Sequence, residues 1–288
     1  MKKIYPMLVV VLLCTNLLTL YLYHCEKEKV KNAFMPTFQE DYLTRQLTLT
    51  ENAKNGIPFE GSLMELSTDT RFNDNTIKFD VPLVTQNPDY PNGCEAASAT
   101  MLLNYHSIDI TLKQFIDTYL ITAPVYEKDG KRFGPDPSKA FAGNPSDVMY
   151  GWGTLEPTIK WSLSKVASDK TPLAQYDVIT NDQKLDLSTL SSLMKTPLII
   201  WATTDYTPVK EVYQWYSYDG KRTYTYAKNS HTVILTGYDE KYYYINDPLK
   251  DKKDIAIEKD KLEDCFDSAG RQAVTITFYR TLDNEEGN

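Results

Sequence analysis

Residues 86–105 read QNPDYPNGCEAASATMLLNY, a run in which turn-forming residues end at Cys94 and helix-forming residues follow. The pattern predicts a helix that begins at Cys94 and is covered on several sides, because apolar residues are spread around much of its circumference. The first N–H groups of a helix have no intrahelical partners and the helix dipole is positive there, so we expect a lowered pKa for the Cys94 thiol. Cys94 is therefore a candidate nucleophile, and a buried structural cysteine is the alternative.

The composition fits one full-sized globular domain with extra segments. The chain has 288 residues, of which 42% are hydrophobic and 12% aromatic, and its formal net charge is -8. An acidic chain in which no basic run is interleaved with aromatic residues does not have the signature of a nucleic-acid-binding protein. We therefore expect no nucleic acid partner.

The N-terminus carries a candidate membrane anchor, an apolar run from Ile4 to Tyr23 behind Lys2 and Lys3. Its length of about twenty residues matches a bilayer, and no small-x-small cleavage site follows it. We interpret residues 1–25 as a signal anchor of a single-pass cell-membrane protein. Cleavage as a signal peptide, which would give a secreted protein, is the alternative. The two lysines favour a cytoplasmic N-terminus, so the remaining chain is expected on the outside of a Gram-positive-like cell.

Two further regions follow the anchor. Residues 26–75 are polar without a sustained period and are interpreted as a stalk or lead-in, with a short helix near 38–47. Residues 76–288 form the predicted domain, which contains only two cysteines, Cys94 and Cys265. A cysteine-poor, outward-facing protein is compatible with a free catalytic thiol, and a Cys94–Cys265 disulfide is the competing interpretation.

In this domain the helical patterns come first and most strand patterns second. Helices are predicted from Cys94, and at Thr111 to Leu120, Leu155 to Val166, Leu187 to Met194 and Asp260 to Phe266. Strands are predicted at Pro197 to Thr203, Val212 to Tyr218, Thr223 to Tyr226, His231 to Tyr238, Tyr242 to Asn246 and Ala273 to Tyr279. The order indicates an α+β fold with an antiparallel sheet packed on the early helices. The Gly-, Pro-, Asp- and Asn-rich segment Ala123 to Gly153 is predicted to be a long functional loop or lid.

A catalytic thiol needs a base, and the chain offers three histidines. His24 belongs to the membrane region. His106 lies twelve residues after Cys94, at the far end of the same predicted helix, where it cannot reach the thiol. His231 begins a strand, at a position that we expect to be a sheet edge, and it is the candidate base. A structural or surface histidine is the alternative.

A predicted hairpin supplies a carboxylate beside His231. If Asp239 to Lys241 form its loop, Tyr238 pairs with Tyr242 and Asp247 falls diagonal to His231 on the same face. A register centred earlier places Asp247 directly across from His231. A two-residue loop would turn the two side chains to opposite faces.

The tetrahedral intermediate of such a reaction also needs hydrogen-bond donors. The backbone N–H of Cys94 is one candidate, and the side-chain amide of Gln86 is the second. An ordinary loop glutamine is the alternative for Gln86. No metal or other cofactor is expected, because one histidine and one aspartate are too few ligands for a zinc site.

Several runs of this sequence resemble the bacterial double-glycine peptidase family, particularly its membrane-anchored stand-alone relatives. The runs are Val81-Pro82-Leu83 through Gln86, Asn92-Gly93-Cys94-Glu95-Ala96-Ala97-Ser98, His231-Thr232-Val233, Asn246-Asp247-Pro248, and the loop Asp136 to Pro145. The resemblance implies a papain-like cysteine peptidase fold over about residues 76–280. It also implies that Gln86, Cys94, His231 and Asp247 act as oxyanion glutamine, nucleophile, base and orienting aspartate.

Together these features predict a membrane-anchored, extracytoplasmic cysteine peptidase that forms an acyl thioester on Cys94. Transporter-borne members of the family remove leader peptides in the cytoplasm, whereas this chain has no ATP-binding cassette. Its expected substrate is a secreted peptide, a surface protein or a peptidoglycan stem peptide. The alternatives are a cell-wall amidase of the NlpC type and a catalytically silent peptide-binding module. The sequence favours no oligomeric state.

Overall fold

The helices begin and end close to where the sequence patterns predict. The computed structural model describes residues 76–279, and its helices are α1 Cys94–Tyr105, α2 Leu112–Gln114 with a π-helical turn Phe115–Tyr119, α3 Glu156–Lys170, α4 Leu187–Ser192 and α5 Lys259–Ser268. The expected signal anchor at residues 4–23 and the lead-in at 26–75 lie outside the described residues. Within residues 76–279, no helix is long and apolar enough to cross a membrane.

The strands pair into three sheets. They are β1 Ile77–Lys78, β2 Thr122–Ala123, β3 Tyr126–Lys128, β4 Lys131–Phe133, β5 Phe141–Gly143, β6 Gly151–Gly153, β7 Gln175–Thr180, β8 Leu198–Thr203, β9 Val212–Tyr216, β10 Thr223–Ala227, β11 Ser230–Tyr238, β12 Tyr242–Asp247, β13 Lys252–Glu258 and β14 Ala273–Tyr279. The main sheet has the order β13-β12-β11-β8-β14-β7, with β1 on β11, and all its pairs are antiparallel. The predicted α+β class with an antiparallel sheet is confirmed.

Helix α1 packs on the main sheet and begins at the predicted residue. Gly93 is its N-cap, and every residue from Cys94 to Leu103 is buried. The hydroxyl of Ser98 donates a hydrogen bond to the Thr232 carbonyl oxygen of β11 at 3.2 Å. The start of α1 is thereby fixed against the strand that carries His231.

The expectation that Ala123–Gly153 is a loop without secondary structure is wrong, whereas its role as a functional segment or lid stays a prediction. Strands β3 and β4 form a hairpin whose second strand pairs with β9, and β5 pairs with β2 and β6. Side chains from the two small sheets share a hydrophobic cluster of Ala142, Trp152, Trp215 and Tyr226. Strands of two or three residues are too short to show an alternating period in the sequence.

The sequence patterns also missed β7 and β13, which are the two end strands of the main sheet. The exposed residues of β13 include Lys252 and Lys253. Charged residues on edge strands prevent pairing with other chains, and they also dilute the alternating apolar pattern by which a strand is identified.

Gly237 allows the short strand β1 to lie across β11. A Cβ atom at this position would stand 2.0 Å from the carbonyl oxygen of Ile77. No side chain fits such a distance, so the paired backbone of β1 requires glycine here.

His106 is a structural residue at the end of α1. Its Nε2 lies 2.9 Å from the Thr196 hydroxyl, and its ring packs against Tyr105 and Phe278. Burial lowers the pKa of His106 from 6.5 to about 4. The folded protein therefore favours the neutral imidazole.

We predict that this histidine destabilises the protein in acid. The unfolded chain binds a proton at His106 below about pH 6.5, whereas the folded chain binds it only near pH 4, so the free energy of unfolding falls as the pH drops through this window. The loss amounts to roughly 3 kcal/mol at most. Urea unfolding of wild type and His106→Gln at pH 7 and pH 4.5 measures it. The difference in stability between the two pH values should be smaller in the variant, and equal differences would contradict the prediction.

Candidate active site

A β-bulge sets the register of the hairpin formed by β11 and β12. Near the turn, Tyr238 pairs with Tyr243, so the expected pairing of Tyr238 with Tyr242 is wrong. The register then shifts between Leu235 and Gly237. The bulge places one additional residue, Thr236, in β11.

This bulge decides which face of the sheet Asp247 occupies. Beyond it Ile234 pairs with Asn246, so the next pair brings Asp247 opposite Val233 and diagonal to His231 on the same face. Without the additional residue, Asp247 would oppose Ile234, and its side chain would point to the other face. The diagonal arrangement is one of the two that the sequence allowed.

The structure brings His231 and Asp247 together. The Nε2 atom of His231 lies 2.8 Å from Oδ1 of Asp247, and both side chains are buried. Strand β11 is an inner strand of the sheet, with β8 on one side and β12 on the other, but His231 itself is paired only with β8. His231 stands at the start of its strand, before the ladder with β12 begins.

Asp247 is surrounded by hydrogen-bond donors. Its Oδ1 accepts the backbone N–H groups of Leu249 and Lys250 at 2.8 and 3.0 Å, and its Oδ2 accepts the hydroxyl of Tyr206. The ammonium group of Lys250 lies 3.5 Å from Oδ2. Burial alone would raise the pKa of Asp247, but the hydrogen bonds from His231, Tyr206 and Lys250 outweigh it and hold the pKa well below its usual range. The carboxylate is therefore ionised.

Cys94 lies at the first position of α1, as predicted, and its thiol donates a hydrogen bond to Oε2 of Glu95 at 3.2 Å. The expected lowering of its pKa is wrong. Burial raises the pKa of the Cys94 thiol well above its ordinary value, and the Glu95 carboxylate adds to the effect, although contacts from Thr232 act in the opposite direction. In this structure the protein favours the neutral thiol.

The thiol lies next to the strand that carries His231. The backbone and side chain of Thr232, the residue after His231, act to lower the pKa of the Cys94 thiol. Among residues 76–279, the hydrogen bond of the thiol goes to Glu95 and not to His231. Proton transfer between Cys94 and His231 therefore stays a prediction.

Gln86 is buried and connects the turn before Cys94 to the end of β12. Its backbone N–H donates to the Pro248 carbonyl oxygen at 3.0 Å, and its side-chain Nε2 donates to the Pro91 carbonyl oxygen at 2.6 Å. Its Oε1 atom is buried without a hydrogen-bond partner among the described residues. The oxyanion role of Gln86 stays a prediction.

The structure does not contain the Cys94–Cys265 disulfide that the sequence left as an alternative. Both cysteines are free and buried. The sulfur of Cys265 lies 3.3 Å from the Thr203 hydroxyl. The thiol of Cys94 is thus available for chemistry.

Three residues of this site were not identified from the sequence: Glu95, Tyr206 and Thr232. Glu95 had a usable signal, because it is an acidic residue in a helix predicted to be covered on several sides. Tyr206 lies in a turn with a φ of 54° and gives no signal in the sequence. Thr232 alternates with His231 along an ordinary strand pattern.

Comparison with known proteins gives a consistent result. A model of the Peptidase_C39 like family matches residues 78–274. The uncharacterized protein YvpB of Bacillus subtilis (strain 168) is 30% identical over 186 residues, which is 64% of this chain and 69% of that protein. The match confirms, at the level of the Peptidase_C39 like family, the resemblance that the sequence motifs indicate.

A solved structure agrees with the fold. A crystal structure from Bacillus anthracis, described as a C39-like peptidase, aligns with a TM-score of 0.58 at 25% identity and covers 73% of this chain and 99% of its own. A double glycine motif protease of an AMS/PCAT transporter, solved with its leader peptide, aligns at 19% identity with a TM-score of 0.38 and covers 73% of this chain. A TM-score below 0.5 does not establish a common fold, so nothing about this chain follows from the second structure.

We predict that Tyr206 stabilises the fold through Asp247. Tyr206→Phe removes a hydrogen bond to a buried charged group, which should lower the free energy of unfolding by about 1.5–3 kcal/mol. Urea unfolding at pH 7 measures the loss.

Tyr244→Phe is the matched control, since Tyr244 donates to the Asp239 carboxylate in the turn of the same hairpin at 2.5 Å. That carboxylate is solvated, so the control should lose less than about 1 kcal/mol. Equal losses in the two variants would contradict a special role for Tyr206.

Proposed function

Because the chain belongs to the Peptidase_C39 like family and is a cysteine peptidase, we propose that it hydrolyses a peptide bond through Cys94, His231 and Asp247. In this proposal Cys94 is the nucleophile, His231 is the general base and acid, and Asp247 orients the imidazole. The substrate is a peptide or protein.

The observation that carries the proposal is the hydrogen bond between His231 and Asp247. An ionised carboxylate only accepts hydrogen bonds, so Nε2 of His231 must carry the hydrogen at this 2.8 Å contact. The neutral imidazole then has its lone pair on Nδ1. In the proposal this nitrogen accepts the proton of Cys94.

The proposed reaction has two halves. The S–H proton of Cys94 moves to Nδ1 of His231, and the sulfur attacks the substrate carbonyl carbon to form a C–S bond. His231 then returns the proton to the leaving amine as the C–N bond breaks. In the second half a water molecule gives a proton to His231 as its oxygen bonds to the thioester carbon. The C–S bond then breaks, His231 returns the proton to sulfur, and the peptide leaves as a carboxylic acid.

Two donors support the oxyanion in this proposal. The N–H of Cys94 has no intrahelical acceptor, because it stands at the start of α1. The amide nitrogen of Gln86 carries two hydrogens, of which one is directed to Pro91. The second hydrogen is the donor that we assign to the oxyanion.

We also propose that the peptidase is held outside the cell by the apolar run Ile4–Tyr23, which the sequence supports by its length and by Lys2 and Lys3. Mild protease treatment of intact cells should then release residues 76–279 as a folded fragment. Recovery of the untreated protein in the soluble cytoplasmic fraction would contradict this placement.

A peptide library tests the catalytic proposal. The wild-type protein should cleave a subset of an unbiased library, and Cys94→Ala should cleave none of it. Asp247→Asn should lower kcat by about 10²- to 10⁴-fold, since the imidazole loses its ionised partner.

Cys265→Ser is the matched control for Cys94→Ala, because it changes the other buried thiol of the described residues and keeps a hydroxyl beside Thr203. This variant should retain the wild-type cleavage pattern. Cleavage that persists in Cys94→Ala would eliminate Cys94 as the nucleophile.

A further inference from the structure

Glu95 places a buried carboxylate beside the nucleophile. Its side chain is 2% exposed. The N–H of Thr154 donates to its Oε1 at 2.9 Å, and the Tyr226 hydroxyl, shared with the Thr154 carbonyl oxygen, lies 3.2 Å from the same atom. The Cys94 thiol donates to the other carboxylate oxygen, Oε2, at 3.2 Å. Both carboxylate oxygens of Glu95 therefore accept hydrogen bonds.

The backbone leaves space for this carboxylate. Gly153 has a φ of +107°, and a Cβ atom there would lie 2.9 Å from Oε1 of Glu95 and 2.5 Å from the Tyr226 hydroxyl. A side chain at this position would displace both groups. The contact between Glu95, Thr154 and Tyr226 therefore requires glycine at position 153.

No cation compensates the charge of Glu95 within residues 76–279. Tyr226 of β10 and Tyr213 of β9 face it, and the Glu95 charge adds to burial in raising the pKa of both phenols. Arg132 of β4 lies over the Tyr213 ring, and its ion pair is with Glu127. Burial raises the pKa of Glu95 itself, and the hydrogen bonds from Thr154, Cys94 and Tyr226 act against that rise. The ionised Glu95 acts on the adjacent sulfur with no cation of residues 76–279 paired to it.

Thr232 has the opposite effect to Glu95 on the pKa of the Cys94 thiol. Its hydroxyl oxygen is fully buried and has no hydrogen-bond partner among the described residues. This hydroxyl and the Thr232 N–H both lower the pKa of the Cys94 thiol. The sulfur thus has an acceptor in Glu95, which favours S–H, while Thr232, whose hydroxyl is unpartnered, favours the thiolate.

We infer that Glu95 is a positioning residue that holds Cys94 as a neutral thiol in the free enzyme, and that the Thr232 hydroxyl donates to the sulfur once the proton passes to His231. The S–H bond breaks as the proton moves to Nδ1 of His231, and the electron pair stays on sulfur. Glu95 gains no proton. This inference rests on the proposed role of Cys94 as the nucleophile, and it adds a control of when that nucleophile is ionised.

Glu95→Gln separates this role from a structural one. The variant keeps an Oε1 acceptor for Thr154 and Tyr226 but removes the charge beside the sulfur. The readout is the rate of iodoacetamide alkylation of Cys94 across pH, followed by mass spectrometry of the Cys94 peptide with Cys265 as internal reference. A neighbouring charge shifts a pKa by about 1–3 units. We expect the midpoint of the pH profile to fall by at least about one unit, and the rate at pH 7 to rise about tenfold.

Thr232→Val is the matched variant, for which we expect the alkylation midpoint of Cys94 to shift in the opposite direction. It keeps the shape of the side chain but removes the buried hydroxyl, so the midpoint for Cys94 should rise. If the two residues were merely structural, their substitution would lower the melting temperature without moving the midpoints in opposite directions. An unchanged or higher midpoint in Glu95→Gln overturns the inference.

The wild-type protein provides a further measurement if Glu95→Gln does not fold. Its alkylation midpoint should lie above about 8.5, the ordinary value of a cysteine, and a midpoint below that value overturns the inference. Peptide hydrolysis is assayed on the same samples. If the midpoints shift as expected and no peptide is cleaved, the proposed peptidase reaction fails while the role of Glu95 in holding the thiol stands.

Discussion

The hydrogen bond between the His231 imidazole and the buried Asp247 carboxylate depends on one additional residue in β11. Side chains along a strand alternate between faces, so the bulge at Thr236 is what returns Asp247 to the face of His231. The same strand accepts the Ser98 hydroxyl of α1 at the Thr232 carbonyl oxygen. The register of the hairpin positions the base and its carboxylate, and the Ser98 contact holds the helix that carries the thiol against the same strand.

Two buried carboxylates act on the two halves of this site in opposite ways. Asp247 receives donors from His231, Tyr206 and its own turn, with Lys250 close by, so its charge is well compensated and it stabilises a protonated imidazole. Glu95 has only hydrogen-bond donors, one of which is the thiol itself. The charge of Glu95 therefore opposes a thiolate, while the charge of Asp247 supports the imidazolium that forms with it.

Much of the fold was predictable because its elements carry local signals. The glycine-to-helix junction at Cys94, the Thr111 capping box and Pro157 in the first turn of α3 are all visible in the sequence. The strands at the ends of the main sheet and those within Ala123–Gly153 were not predictable in the same way. They are half solvated or only two or three residues long, so they show little alternation of apolar and polar residues.

The sequence by itself determined which types of residue make up the candidate site. It also determined that a helix starts at Cys94, because this signal depends on residues close together in the chain. It also limited Asp247 to a few positions around His231, since the length of the hairpin loop restricts the register. Only the tertiary structure decided the ionisation of the thiol. The helix start favours a thiolate, but burial and the Glu95 carboxylate outweigh it, and both arise only when β6, β10 and β11 close around α1.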